Sequence, residues 1–272
     1  MKNYIEGVNW FGRHFSVTRM SNPKTRLYTT ILSFTDENVT FRNSIIEYFE
    51  AKVNKIEEPE IYVPNNYTNS LPLTIKKYEG HDSMSSFIFN TENENFKIAG
   101  PFGTGLELNE NSNGLFVIFA GGTGIFPFVD LLDYMLKKSI FMILKKIFSD
   151  YDAKKVNPFL EKFEDMFGES FRIKLFWAVN DETEFNCVSF LKKFYQVNKT
   201  YGLNNFDLIV RVKDEINGVK TTNEYFNEEF LRKYLEITEV SRVFICGNPS
   251  MNLSVPEECR KVGIPKELIQ LV

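Results

Sequence analysis

The feature that most constrains the fold is a short apolar run that leads into a glycine-rich turn and then a long apolar segment. Residues Leu115–Ala120 read LFVIFA, which is typical of a strand buried on both faces. A GGTG turn follows, formed by Gly121, Gly122, Thr123 and Gly124. Glycines at a strand-to-helix turn let a ligand approach the backbone, and they leave helix N-terminal N–H groups free to bind phosphate. The turn does not match GxGxxG, so a phosphate site and simple turn chemistry both remain open.

Further buried strands and helices alternate after this unit. Arg172–Ala178, Asp207–Val212 and Val243–Cys246 are strand candidates, whereas Val188–Val197 and Asn227–Glu236 have helical character. Alternation of strands and helices favours a parallel sheet with helical crossovers. The second half of the chain is therefore predicted to be an α/β domain.

The first half has a different pattern, with short strands and one helical segment, Phe41–Val53. The candidate strands are His14–Thr18, Arg26–Leu32, Leu73–Tyr78 and Asn95–Ile98. The polar stretch Asn109–Gly114 is typical of a linker. We therefore predict two domains, one over residues 1–110 and one over residues 111–272.

A second candidate site lies at the end of the Val243–Cys246 strand, where the chain reads CGNPSM from Cys246 through Gly247 to Met251. Ligands of parallel sheets bind at the carboxyl ends of the strands. A thiol and a bare backbone in this turn could therefore border a planar ring. A buried cysteine followed by an ordinary turn explains the same residues equally well.

A third candidate lies in the β-rich half, where residues 26–29 read RLYT. Strand alternation places Arg26 and Tyr28 on one face and Thr29 on the other. An arginine can hold a pyrophosphate while a tyrosine lies against a flat ring. Taken alone, the segment is better explained as an exposed strand with a routine aromatic residue.

Five motifs in a fixed order give the chain a resemblance to the ferredoxin–NADP reductase superfamily, most closely to its NADH–cytochrome b5 reductase branch. The motifs are RLYTT, GHDSMSS at Gly80–Ser86, GPFG at Gly100–Gly103, AGGTGI and CGNPSM. The resemblance covers about residue 10 to the C-terminus. It implies an antiparallel FAD-binding β barrel, shortened in this chain, followed by an α/β parallel-sheet nicotinamide-binding domain.

The resemblance also implies FAD and NADH as cofactors and identifies the residues that bind them. It assigns Arg26 to the FAD phosphates, Tyr28 to the isoalloxazine and Thr29 to the region near flavin N5. The other implied residues are Met84, Ser85 and Ser86 at the FAD pyrophosphate, Gly121, Gly122, Thr123 and Gly124 at the NADH pyrophosphate, and Cys246, Gly247 and Met251 beside the nicotinamide. The implied activity is hydride transfer from NADH to FAD and electron transfer to an acceptor, with Tyr28, Thr29 and Cys246 at the catalytic centre.

The loop after Arg172–Ala178 predicts a preference for NADH over NADPH. It reads VNDETE from Val179 to Glu184, and the resemblance places it near the adenine ribose. Its three carboxylates, Glu184 among them, would repel a 2′-phosphate.

Charge and cysteine usage exclude several classes of function. The formal net charge is −4 without a long basic stripe, which excludes nucleic acid as a partner. The three cysteines are far apart, so we expect neither a metal site nor a disulfide framework. This usage indicates a reducing intracellular compartment, either the cytoplasm or a mitochondrial or membrane-associated location. No apolar run approaches the roughly 20 residues that span a bilayer.

Departures from the family pattern leave a second function open. Little sequence precedes the Arg26 strand, the C-terminal Ile269–Val272 lacks the family's aromatic residue, and Lys55–Ser70 and Lys138–Glu169 look like additions. The alternative is an accessory or structural subunit of a larger assembly, such as a mitochondrial respiratory one, with reduced or no catalysis. Because the family's barrel needs about six strands, we expect it to be closed by another polypeptide or left open. A short but self-sufficient barrel has equal weight.

The segment after the glycine turn, residues 125–148, is predicted to be a helix that is longer than its counterpart in the family. Lys137, Lys138, Lys145 and Lys146 spread over one side of it, and Phe141 and Phe148 fall toward that side. This surface packs against the chain's own segment Pro158–Phe167, or it docks to a membrane surface or a partner subunit. A protein electron acceptor or a larger complex is the expected partner of the chain.

Overall fold

A computed structural model describes residues 11–20, 22–30, 36–57, 59–61, 84–91, 95–109, 111–147, 167–180 and 188–272. The strands are β1 (His14–Arg19), β2 (Asn22–Thr30), β3 (Phe96–Phe102), β4 (Leu115–Gly121), β5 (Arg172–Ala178), β6 (Phe206–Arg211), β7 (Lys220–Thr222), β8 (Val240–Cys246) and β9 (Ile269–Leu271). The helices are α1 (Asp36–Asn54), α2 (Met84–Asn90), α3 (Phe126–Ile147), α4 (Val188–Tyr201), α5 (Glu228–Tyr234) and α6 (Pro249–Lys261).

The first sheet is antiparallel and has β1 at its centre, in the order β2-β1-β3. Val17 of β1 is fully buried, and it pairs with Leu27 of β2 and Ile98 of β3. Three strands of this sheet lie within the described residues. The candidate strand Leu73–Tyr78 and the N-terminal residues 1–10 lie outside them, so the incomplete barrel stays a prediction.

The second sheet is parallel, with the order β7-β6-β5-β4-β8-β9. The chain moves outward from β4 to β7 on one side, then returns to the other side of β4 with β8 and β9. Successive side chains of β4 enter two different cores: Ile118 packs in the core on one face, and Val117 and Phe119 pack in the core on the other. The strand is therefore buried on both faces, as its apolar run predicts.

The predicted combination of an antiparallel β half and a parallel α/β half is confirmed. β5 has the predicted bounds, and the other predicted strands within the described residues differ by a few residues at their ends. Residues 84–86, expected in a turn, instead form the first turn of the short helix α2.

Helix α1 belongs to the first half by sequence but packs on helices of the second half. Ile45, Tyr48 and Phe49, spaced along one face of α1, lie in the same core as α3 and α4. The ring of Phe49 meets Tyr201 of α4 edge to face, with centroids 5.4 Å apart. The predicted boundary between residues 110 and 111 remains a prediction, and α1 packs across it.

Two lysines of α3 are buried, on the side of this helix for which packing within the chain and docking were both open. Lys137 is buried and lies 2.6 Å from Asp133, and buried Lys138 donates to the carbonyl of Phe167 at 2.8 Å. Phe141 is 2% exposed. Spacing placed these residues on one side of the helix, but it could not show that α1 and the Phe167 region cover that side. Phe148 lies outside the described residues.

Within residues 126–147, Ile147 is the exposed apolar residue of α3. Lys145, Lys146 and Ile147 are the exposed residues of its last turn. No helix in the described parts of the chain is long and apolar enough to cross a membrane.

Candidate active site

The two glycine turns predicted from sequence lie side by side. β4 and β8 are neighbouring parallel strands, with Ala120 opposite Cys246, so the turns that follow them emerge at the same edge of the sheet. The strand order reverses at β4. Ligands of open α/β sheets bind in the crevice at such a reversal, outside the carboxyl ends of the strands.

The first turn continues β4 directly into helix α3. Residues Gly122–Ile125 form a 3₁₀ turn, and Gly122 has a positive φ of 51°, which suits glycine. The indole Nε1 of Trp177 donates to the carbonyl of Gly122 at 2.9 Å. The turn is therefore anchored from the neighbouring strand β5.

Gly124 is needed for the packing of one turn against the other. A Cβ at Gly124 would lie 2.0 Å from the carbonyl oxygen of Cys246 and 3.1 Å from the backbone nitrogen of Gly247. These are backbone atoms, which cannot move aside as a side chain can. Glycine at this position of the motif is therefore required for packing between the two turns, as well as for the approach of a ligand.

The second turn is held by a helix cap. Asn248 precedes α6, and its side chain accepts a hydrogen bond from the backbone N–H of Met251 at 2.9 Å. Pro249 occupies the first turn of the helix, where its missing N–H costs nothing. Asn-Pro is a sequence signal for a helix start, and it explains why asparagine fits at this position of the CGNP motif.

Met251 closes the space between the two turns. Its sulfur would lie 2.9 Å from a Cβ at Gly121 and 2.6 Å from one at Gly247. Both glycines therefore make room for the methionine side chain. Met251 is 9% exposed, so its side chain forms the floor between the turns.

Cys246 is half-buried at the end of β8. Burial raises the pKa of its thiol to about 11, so the thiol is protonated at neutral pH. A protonated thiol is a poor nucleophile and suits a wall residue beside a ring better than covalent catalysis.

The candidate flavin residues lie in the antiparallel half. In the ladder between β1 and β2, Arg26 is opposite Thr18, Tyr28 opposite Ser16 and Thr29 opposite Phe15. The side chains of β2 lie outside what the structure describes. Residues 84–86 are buried at the start of α2, which packs near β2.

Contacts between the two halves lie beside β8 and β9. Gln270 donates to the carbonyl of Gly105 at 2.7 Å, and Arg242 lies 3.1 Å from a carboxylate oxygen of Glu107. Sequence reasoning missed these residues, as it missed Trp177 and Asn248. Trp177 is one of two tryptophans in the chain and lies near the carboxyl end of a buried strand. That position is the sequence feature that could have identified it as a site residue.

The structure does not describe all of the predicted site residues. Glu184 and residues 80–83 of the GHDSMSS motif lie outside the described residues. Within the described part of the chain, no group of three or more His, Cys, Asp or Glu side chains could hold a metal ion.

Comparison with known proteins identifies the second half and the overall fold. The family model of the oxidoreductase NAD-binding domain matches residues 118–256. No curated protein matches the chain by sequence.

Solved structures of similar fold cover 96% of this chain. The cytochrome b5 reductase domain of Ulva prolifera nitrate reductase has a TM-score of 0.56 and 14% identity, with 84% of that chain covered. The CS–b5R domains of human Ncb5or in the NAD+ form have a TM-score of 0.56 and 16% identity, with 60% of that chain covered. Ferredoxin–NADP+ reductase of Plasmodium falciparum with 2′P-AMP has a TM-score of 0.54 and 18% identity, with 83% of that chain covered. At these identities the likeness is one of fold.

Proposed function

Because the chain belongs to the oxidoreductase NAD-binding domain family, within the ferredoxin–NADP reductase superfamily, we propose that it is a flavin-dependent oxidoreductase that takes hydride from NADH. The observation that carries this proposal is the meeting of two glycine turns where the sheet order reverses, after β4 and β8. That arrangement offers bare backbone at the place where parallel sheets bind nucleotides.

The residues of the two turns have separate tasks in this proposal. Residues 121–124 hold the pyrophosphate of the nicotinamide nucleotide, because the turn presents backbone N–H groups at the start of α3. Cys246, Gly247 and Met251 border the nicotinamide, and the protonated thiol keeps that wall uncharged. The close packing of the turns after β4 and β8 limits how far the nicotinamide ring can shift.

The antiparallel half holds FAD in this proposal. Arg26 binds its phosphates, Tyr28 packs on the isoalloxazine and Thr29 lies near N5. The buried first turn of α2, with Ser85 and Ser86, lies at the pyrophosphate. Bound FAD would supply the redox chemistry between the nicotinamide nucleotide and an electron acceptor.

The chain's own contribution is alignment of the two halves. Arg242 of β8 and Gln270 of β9 hold Glu107 and Gly105, which follow β3 in the first half of the chain. These contacts tie the end of the antiparallel half to the parallel sheet. Alignment of this kind contributes to rate because reacting atoms must meet within a narrow range of geometry.

The acceptor in this proposal is a protein or a larger complex. The similar structures include the cytochrome b5 reductase domain of Ulva prolifera nitrate reductase. More specifically, we propose that the acceptor is a cytochrome b5.

The test is the visible spectrum of the purified protein together with an arginine variant. The wild type should show oxidised flavin absorbance that NADH bleaches without oxygen. Arg26→Ala should weaken FAD binding about 10-fold or more, because a charge-assisted contact to phosphate is lost. Arg260→Ala, which removes an exposed arginine of α6, is the control and should retain flavin.

The spectrum also separates the enzyme from the accessory subunit. A protein that carries no flavin and cannot be reconstituted with it would overturn the enzymatic proposal. A role as an accessory subunit of a larger assembly would then explain why the chain retains the reductase fold.

We also predict that NADH is preferred over NADPH, because the loop after β5 carries three carboxylates up to Glu184. The preference should reach about fivefold or more in kcat/KM, since a 2′-phosphate meets like charge. Glu184→Gln should raise kcat/KM for NADPH and leave that for NADH near wild type.

Equal kcat/KM values for the two nucleotides would contradict this prediction. Equal use of NADPH would have a physical explanation in Arg211, a cation at the carboxyl edge of the parallel sheet. Arg211 ends β6 opposite Ala178 of β5, with its guanidinium 4.1 Å from the ring centroid of Tyr225. Arg211→Gln would then reduce the use of NADPH.

A further inference from the structure

Trp177 is a buried tryptophan whose polar atom meets the glycine turn. Its side chain is fully buried in the core beneath α3, and it lies on β5 opposite Ala120 of β4. Its indole Nε1 donates to the carbonyl of Gly122 at 2.9 Å. A buried indole N–H needs an acceptor, and here that acceptor is the first residue of the 3₁₀ turn.

This hydrogen bond fixes the orientation of one peptide group. The peptide unit between Gly122 and Thr123 is planar, and in a trans unit the C=O and N–H point in opposite directions. A Gly122 carbonyl held toward the indole therefore directs the N–H of Thr123 away from it. Gly122 has a positive φ, and glycine in this region exchanges easily with other conformations unless a contact holds it.

The other contacts of the turn restrain different atoms. Gly124 packs against the backbone of Cys246, and Gly121 packs against Met251. Neither contact fixes the Gly122–Thr123 peptide. The 3₁₀ turn over residues 122–125 holds this peptide from within the segment. The indole of Trp177 adds a contact from outside the segment to the carbonyl of Gly122.

We propose that Trp177 is a positioning residue that orients the glycine turn for the pyrophosphate of a nicotinamide nucleotide. The inference rests on the proposed function, because it gives the oriented N–H a ligand. Trp177 does not touch the reacting atoms. Its effect is on the affinity of the nucleotide and not on the rate at saturation.

Trp177→Phe tests the proposal, because phenylalanine keeps an aromatic ring in the core and removes the N–H donor. NAD+ titrated into the flavin-loaded variant should bind about fivefold more weakly than to wild type, as expected for one lost hydrogen bond. The KM for NADH should rise by a similar factor, whereas kcat stays within about twofold. Amide hydrogen exchange across residues 121–125 should become faster in the nucleotide-free protein.

Phe171→Leu is the matched control for a loosened core. Phe171 is 2% exposed in the same core but precedes β5, at the opposite edge of the sheet from the turn. Its substitution removes aromatic volume and should leave the affinity for NAD+ and the exchange of residues 121–125 unchanged. An equal loss of affinity in both variants would overturn the positioning role.

Failure of the proposed function and failure of the positioning role of Trp177 give different results. Wild-type protein that binds neither NAD+ nor NADH would overturn the proposed function before any variant is made, and with it the ligand of the turn. Wild-type protein that binds NAD+, with Trp177→Phe binding it equally well, would overturn only the role of Trp177.

Discussion

Replacing Gly124 by alanine is expected to lower kcat/KM for NADH about 100-fold or more, because a misplacement of about 1 Å in a binding turn has effects of this size. The added Cβ would lie 2.0 Å from the carbonyl oxygen of Cys246, whereas ordinary van der Waals contact begins at about 3.5 Å. The turns after β4 and β8 would have to separate. Steady-state kinetics with NADH measures the effect.

Gly168→Ala is the matched control for this substitution. A Cβ at Gly168 would also be crowded, at 2.5 Å, but the obstacle is the side chain of Asn113, which can rotate. Gly168 precedes β5, at the opposite edge of the parallel sheet from the two turns. The control should retain kcat/KM, and FAD should stay bound in both variants. A Gly124→Ala protein with wild-type kinetics would show that the turns need not touch.

Replacing Asp133 by alanine is expected to destabilise the protein by about 3 kcal/mol, because buried cations lose their carboxylate. Asp133 of α3 is 5% exposed and lies 2.6 Å from Lys137 and 3.7 Å from Arg42 of α1. The guanidinium of Arg42 also lies over the ring of Phe190 of α4, 4.7 Å from its centroid. The cluster thus ties α1 to the helices of the second half. Chemical denaturation measures the free energy of unfolding.

Glu224→Ala is the control, because it removes the carboxylate of an ion pair that has the same N–O distance but is exposed. The carboxylate of Glu224 lies 2.6 Å from Lys233, but both side chains are more than one-third exposed. An exposed ion pair is screened by water, so its loss should cost only a small part of the loss at Asp133. Equal losses in the two variants would contradict the importance of burial at Asp133.

Local pattern was sufficient to predict the strands β4, β5, β6 and β8 of the parallel sheet, whereas β7, β9 and α6 were not predicted. The Arg172–Ala178 strand, RIKLFWA, has its predicted bounds, because Ile173 alternates with Arg172 and Lys174 before the apolar residues LFWA. The Leu115–Ala120 run marked the central strand for the same reason, since both of its faces must be covered by apolar side chains. The resemblance of five ordered motifs added the flavin half, where no single strand was decisive.

Spacing alone left the environment of Lys137 and Lys138 open. A helical wheel shows which residues share a side, but it does not show what covers that side. The cover comes from α1, which is distant in sequence, and from the region of Phe167. Long-range packing of this kind leaves no mark in a local pattern, because each segment is compatible with several neighbours.

The sequence by itself determined the two glycine turns, the strands that precede them and the order in which they occur. These features depend on residues close together in the chain, where backbone sterics and apolar periodicity act directly. Only the tertiary structure decided that the turns touch through Gly124 and Cys246, that Met251 lies between them and that Trp177 anchors Gly122. Those contacts arise because β4 is flanked by β5 and β8, and strand order is set by the packing of the whole sheet.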